Sequence, residues 1–109
     1  MFDIRKDGDE TIVLEGILDS LQVQVAADFF KDITTSCTVD LHRLEYVSSA
    51  GLGLLLATQQ RLLRSGQKLK LQDPSPPVRK ILELARFNIL FDIDGDPAKL
   101  QGTPPRSPS

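Results

Sequence analysis

The sequence predicts an α/β fold: a mostly parallel central sheet entered through an N-terminal hairpin strand, with helices packed against it. Two patterns alternate along the chain. Stretches with period two or β-branched runs (2–4, 11–17, 38–41, 68–72) are interleaved with stretches where apolar residues recur every third or fourth position (21–33, 52–63, 78–85). Strands alternating with helices favour parallel pairing through right-handed crossovers. At 109 residues the chain holds one domain with one core.

Phe2 and Ile4 alternate with polar neighbours, and Lys6-Asp7-Gly8-Asp9-Glu10 supplies turn chemistry for a hairpin. Thr11 to Ile17 is β-branched and apolar, as a central strand requires. Asp19-Ser20 offers capping side chains ahead of Leu21, Val25, Phe29 and Ile33, which define one helix face widened by Val23 and Phe30. Thr38 to Leu41, beginning as early as Cys37, reads as a short strand, with His42 to Glu45 as a loop. From Leu52, the residues Leu55, Leu56, Leu62 and Leu63 mark one side of a helix interrupted by Gln59 and ended by Gly66. Lys68 to Gln72 alternates as a strand. Pro76-Pro77 then opens a helix whose stripe is Val78, Ile81, Leu82 and Ala85. Ile89 to Ile93 reads as a last strand, giving the order β-β-α-β-α-β-α-β. Pro97 to Gln101 suits one helical turn. The domain therefore spans 1–101, and the proline- and serine-rich 102–109 is expected to be a flexible tail. In such a sheet the functional loops open beyond the carboxyl ends of the strands, here after Gly16 and after Asp40.

Composition removes several functions. A net charge of -2 and a pI near 5.3 give no general basic face, so no nucleic-acid partner is expected. Cys37 is the only cysteine and His42 the only histidine, which leaves no disulfide and no metal site. The start lacks the basic, apolar pattern of a signal peptide, and no run approaches the roughly 20 apolar residues of a membrane span. A cytoplasmic protein without membrane insertion is expected. No Walker loop is present, and Gly51-x-Gly53 alone does not define a nucleotide site, so no cofactor is expected. A Ser49-His42-Asp40 triad can be written on paper. A nucleophile elbow, however, needs Gly-x-Ser-x-Gly where this chain has Val47-Ser48-Ser49-Ala50-Gly51. The residues therefore point away from an enzyme.

One segment carries chemistry of another kind. Ser48-Ser49-Ala50-Gly51-Leu52-Gly53 places two hydroxyls and two glycines at a strand-to-helix junction. A capping serine and a tight helix entry account for part of this. They do not account for glycine persisting into the helix, where it costs about 1 kcal/mol relative to alanine. Small residues there let another protein approach the backbone. A hydroxyl at a helix N-terminus is also a favourable place for a phosphate, because free N–H groups and the dipole attract anions.

Tyr46-Val47-Ser48-Ser49-Ala50-Gly51-Leu52-Gly53-Leu54-Leu55 resembles the signature of the STAS domain family of anti-sigma factor antagonists. Leu14-Glu15-Gly16-Ile17-Leu18-Asp19, Val39-Asp40-Leu41, Pro76-Pro77-Val78-Arg79 and Leu90-Phe91 resemble further pieces of the family pattern, in order. The resemblance implies a partner switch. Unphosphorylated, the domain would bind a GHKL-type serine/threonine kinase that doubles as the anti-sigma factor. Phosphorylation would release it, and a PP2C-like phosphatase would reset it. The modified hydroxyl maps to Ser49, with Ser48 second. Ser48 stands where the family often has aspartate. Asp19, Asp40, Ser48, Ala50, Gly51, Leu52 and Gly53 are then the expected partner-binding positions. For Asp19 and Asp40 the residues alone allow helix capping and strand termination instead. Two other readings stand beside this one: a non-catalytic STAS subunit of a membrane-associated assembly such as a lipid-transport ABC system, and a small hydrolase built on Ser49 and His42.

Overall fold

The computed structural model describes residues 1–95; the expected turn at Pro97–Gln101 and the tail 102–109 lie outside them. Five strands lie in one sheet in chain order: β1 (Phe2–Lys6), β2 (Thr11–Leu18), β3 (Cys37–Val47), β4 (Leu69–Gln72) and β5 (Ile93–Asp94). β1 runs antiparallel to β2, and every other neighbouring pair is parallel. The helices are α1 (Val23–Phe30), α2 (Ser49–Leu63), α3 (Pro76–Leu84) and the single turn α4 (Phe87–Leu90). The α/β class, the N-terminal hairpin and the mostly parallel sheet all follow the sequence reading.

Right-handed crossovers that always step to the next strand place every helix on the same side of the sheet. Burial agrees with this. Ile12, Leu14 and Leu18 of β2, Val39 and Leu41 of β3, and Leu69 and Leu71 of β4 are almost fully buried. The alternate positions Glu15, Ile17, Asp40, Lys70 and Gln72 keep part of their surface. That open face carries ion pairs, including Arg5 with Asp3 at 2.6 Å and with Glu15 at 3.0 Å, and Lys70 with Asp94 at 2.7 Å. Being exposed, such pairs contribute little stability.

Several elements depart from the expected layout. β3 does not stop at Leu41; it continues through His42–Glu45 to Val47, so that segment is strand and not loop. Its inward residues are Leu41, Leu44 and Val47. The spacing of three breaks the period-two signal, because extra residues bulge out of the ladder with β2 between Val13 and Glu15 and again between Gly16 and Ile17. The carboxyl-edge loops therefore follow Leu18 and Val47, not Gly16 and Asp40.

Helix α1 turns only part of its expected face inward. Ala26 and Phe30 are buried, and Val23, Phe29 and Ile33 pack half-buried against the core, whereas Leu21 is 84% and Val25 52% exposed. Asp19 does cap, but its carboxylate accepts from Leu21 N and Gln22 N in a turn that precedes the helix. In α3 the stripe is Val78 and Leu82 with Ile81 half-buried against the core, and Ala85, past the helix end, is exposed. The expected strand at Ile89–Ile93 begins as the end of a helical turn, at Ile89 and Leu90, and becomes strand only at Ile93. Arg86, at φ 61°, ends α3 in the left-handed region and redirects the chain. Phe87 and Phe91 then stack at 5.0 Å with helical spacing, leaving only Ile93–Asp94 to pair with β4.

Gln59 is not an interruption of α2 but part of the buried face. It is 5% exposed, its Oε1 accepts from Leu69 N at 2.7 Å, and its Nε2 donates to Leu90 O at 3.2 Å. β5 is too short to reach Leu69, so this side chain satisfies the N–H that β4 leaves bare on that side. Arg61 ties down a second end: its guanidinium donates to Phe30 O and Ile33 O, both at 2.8 Å, where α1 runs out of partners. We predict that Gln59→Leu, which strands the Leu69 N–H and the Leu90 carbonyl, lowers stability by about 1–3 kcal/mol. The readout is a lower urea midpoint with an unchanged slope.

Candidate functional site

The junction between β3 and α2 is built by three backbone constraints. Ser48 N donates to Leu18 O at 2.9 Å, which extends the β2–β3 ladder to the last possible residue. Ser48 then stays extended, at φ -82° and ψ 171°, as the N-cap of α2. Its Oγ accepts from Gly51 N at 3.2 Å and its carbonyl from Leu52 N at 2.9 Å. This is the local geometry that favours serine at a cap.

The cap separates the two hydroxyls. Ser48 is half-buried and engaged with Gly51. Ser49, one residue on, opens the helix and is exposed, as is Ala50. The N–H groups of Ser49 and Ala50 lie in the first turn, where the helix supplies no acceptor. An anion at Ser49 would therefore meet free donors and the positive end of the helix dipole.

The two glycines do different things. Gly51 is buried, and a Cβ on it would lie 2.7 Å from Val47 Cγ2 and 3.0 Å from Leu18 Cγ. It lets α2 sit directly on the ends of β2 and β3. Gly53 is exposed, and a Cβ there meets nothing within 4 Å. Leu52 is half-buried. Of the expected contact positions, Asp19, Ser48, Ala50 and Gly53 lie with the expected phosphorylation position Ser49 at the carboxyl edge, and Gly51 turns inward.

Asp40 stands apart. It pairs with Val13 and Gln72 in the body of the sheet, seven residues before Val47 in the same strand, on the open face. It does not terminate β3; its carboxylate accepts from His42 N at 2.9 Å, where the first bulge begins. His42 is likewise a strand residue, 68% exposed, with Nδ1 4.0 Å from Asp73 Oδ2. Among the described residues no hydrogen bond joins His42 to Ser49, and no group of His, Cys, Asp and Glu could hold a metal ion. No helix among them is long and apolar enough to cross a membrane. Cys37 is buried, and desolvation pushes its thiol up from the ordinary range.

Four apolar residues near this edge lie outside the expected contact positions. Ile17 and Tyr46 pair across β2 and β3 on the open face, 38% and 47% exposed, next to the residues that lead into Asp19 and Ser48. Leu21 and Val25 project from the start of α1. A signal for the latter was present: two overlapping apolar stripes, Leu21/Val25/Phe29 and Val23/Ala26/Phe30, exceed what an eight-residue helix can bury on one side.

The family model described as "Mlab, STAS domain" matches residues 2–92, and the chain belongs to the STAS domain family. Among curated relatives, BtrV of Bordetella bronchiseptica, named as a candidate anti-sigma factor antagonist, is 32% identical over 92 residues, covering 80% of this chain and 78% of its own. A STAS-domain containing protein of Pseudomonas aeruginosa is 33% identical over 91 residues, covering 80% and 90%. Among solved structures, the anti-sigma factor antagonist SpoIIAA in its unphosphorylated form superposes with a TM-score of 0.67 at 25% identity, covering 94% of this chain and 97% of that one. The phosphorylated form of Bacillus SpoIIAA gives 0.62 at 21% identity, covering 95% and 100%, a likeness of fold.

The glycine pair supplies a direct test of the packing. Gly51→Ala should cost about 1–3 kcal/mol, because the added methyl overlaps Val47 and Leu18. Gly53→Ala should stabilise by up to about 1 kcal/mol, because nothing opposes it and alanine favours the helix. Thermal melts of the two variants should therefore shift in opposite directions.

Proposed function

We propose that this chain is an anti-sigma factor antagonist of the partner-switching kind, and that Ser49 is its switch. The observation that carries the proposal is the division between the two serines: Ser48 is spent on the cap, while Ser49 is exposed at the first residue of α2. The names of its relatives, and the existence of SpoIIAA in a phosphorylated form, support the reading. Unphosphorylated, the carboxyl edge binds a GHKL-type serine kinase that also sequesters a sigma factor. Transfer of phosphate to Ser49 ends the complex, and a PP2C-like phosphatase restores the hydroxyl. The chain is ligand and substrate in this cycle, not catalyst.

The physics of release is local. A phosphate adds about -1.5 to -2 charges at neutral pH. In the free protein that charge is welcome, since the α2 N-terminus and water both solvate it. In a complex it must be desolvated beside Asp19, where the small, exposed Ala50 and Gly53 let a partner's backbone come close. A difference of about 3 kcal/mol between the two states weakens binding more than a hundredfold. Asp40 is too far back along β3 to take part in this repulsion.

Incubation with host lysate and ATP, followed by intact and peptide mass spectrometry, should place one phosphate on Ser49. Ser49→Ala should lose it while still binding the partner, and Ser49→Asp should keep the fold and bind weakly. Ser48→Ala should still be phosphorylated on Ser49 but melt earlier, by about 1 kcal/mol of lost capping. Stoichiometric phosphate on Ser49→Ala would overturn the site. A protein that stays unmodified and co-purifies with a permease would support the membrane-assembly subunit instead.

A further inference from the structure

The exposed side of α2 does not end at Gly53. It continues through Leu54 and Ala57 to Arg64 and there forms one wall of a groove of about 360 Å³ whose other wall is α1. Phe30, Leu54 and Ala57 give the groove an apolar lining, and Lys31, Arg61 and Arg64 line it with cations. Arg61 is committed to the carbonyls that end α1. Lys31 and Arg64 are exposed and make no ion pair among the described residues. The carboxylate of Asp28, on the same helix as the groove's α1 wall, accepts from Gln24 instead.

We propose that this groove receives an acidic segment of the partner protein that carries an apolar anchor side chain. The proposal rests on the partner-binding reading above and specifies the chemistry of the surface that α2 recognises. Three features favour it. The groove is continuous with the Ser49 edge along one helix stripe, Ala50, Gly53, Ala57 and Arg64, at spacings of three, four and seven. Its volume suits one or two side chains, not a flat membrane surface. Its charged lining residues are all cations in a protein whose net charge is -2, so the local sign opposes the overall one. The α2 surface thus presents the exposed Ser49 hydroxyl at one end and the cations Lys31 and Arg64 of the groove at the other. A partner segment bearing carboxylates over the groove is held there by charge, and its other end lies over Ser49, where the phosphate arrives.

The test uses the photo-crosslinker p-benzoylphenylalanine, placed at Ala57 in one variant and at Ala50 in another, in cells of the protein's own host. The Ala57 probe should capture the same protein as the Ala50 probe. Its crosslinked peptide, read by mass spectrometry, should carry at least two Asp or Glu residues within a helical turn of an apolar one. Adding Lys31→Glu and Arg64→Glu should lower the Ala57 yield at least about tenfold with unchanged circular dichroism, whereas Lys80→Glu on α3 should not. A phospholipid adduct, or a crosslinked peptide without acidic residues, would overturn the proposal. So would no adduct at Ala57 while Ala50 captures a protein, an outcome that leaves the Ser49 switch standing. Capture at neither position would reject both.

Discussion

The contact between Gly51 and the ends of β2 and β3 governs the rest of the molecule. With no side chain at that position, α2 begins against Val47 and Leu18. That close seat places Ser48 where its backbone closes the β2–β3 ladder and its hydroxyl closes the helix. It also leaves Ser49 nowhere to go but outward. The site is thus a by-product of packing: two apolar side chains and a missing methyl set the direction of a hydroxyl that touches neither of them.

Much of this was legible in the residues. The hairpin, the parallel strands, the proline-led α3 and the capping role of a serine before Gly51 follow from local chemistry that tertiary structure does not override. The failures share one cause. Periodicity shows that a face is apolar, but not which of two apolar faces meets the core. Helix α1 offers two, and the core takes the Ala26 and Phe30 side, with Phe29 half-buried beside it, while Leu21 and Val25 remain outside. Likewise Ile89 to Ile93 is β-branched enough to pass for a strand. The stacking of Phe87 on Phe91 needs helical spacing, and no single-residue propensity encodes it. The bulges of β3 hid its length in the same way, because a ladder with inserted residues no longer alternates.

Polar side chains inside the molecule were the least readable. Gln59 looks like a break in a leucine stripe, and Arg61 like an ordinary cation near a helix end. Each proves to be a tether between separate elements: Gln59 joins α2 to β4 and α4, and Arg61 joins α2 to the end of α1. Helix α2 therefore carries its surface on a rigid base. Its inward side is fixed by Gly51, Leu55, Gln59 and Leu62, so the outward stripe is held in place by the fold itself.

The allocation of the two adjacent serines has a consequence for how such a protein diverges. Folding draws on the hydroxyl of Ser48 and asks almost nothing of Ser49, which is exposed and bears no described hydrogen bond. Substitutions at such a surface position rarely change stability by more than about 0.5 kcal/mol. Selection is then free to exchange the side chain at position 49 for threonine, for a permanent charge or for an inert residue. On the switch proposed for Ser49, lineages can retune, lock or silence the response one mutation at a time while the scaffold beneath it stays the same.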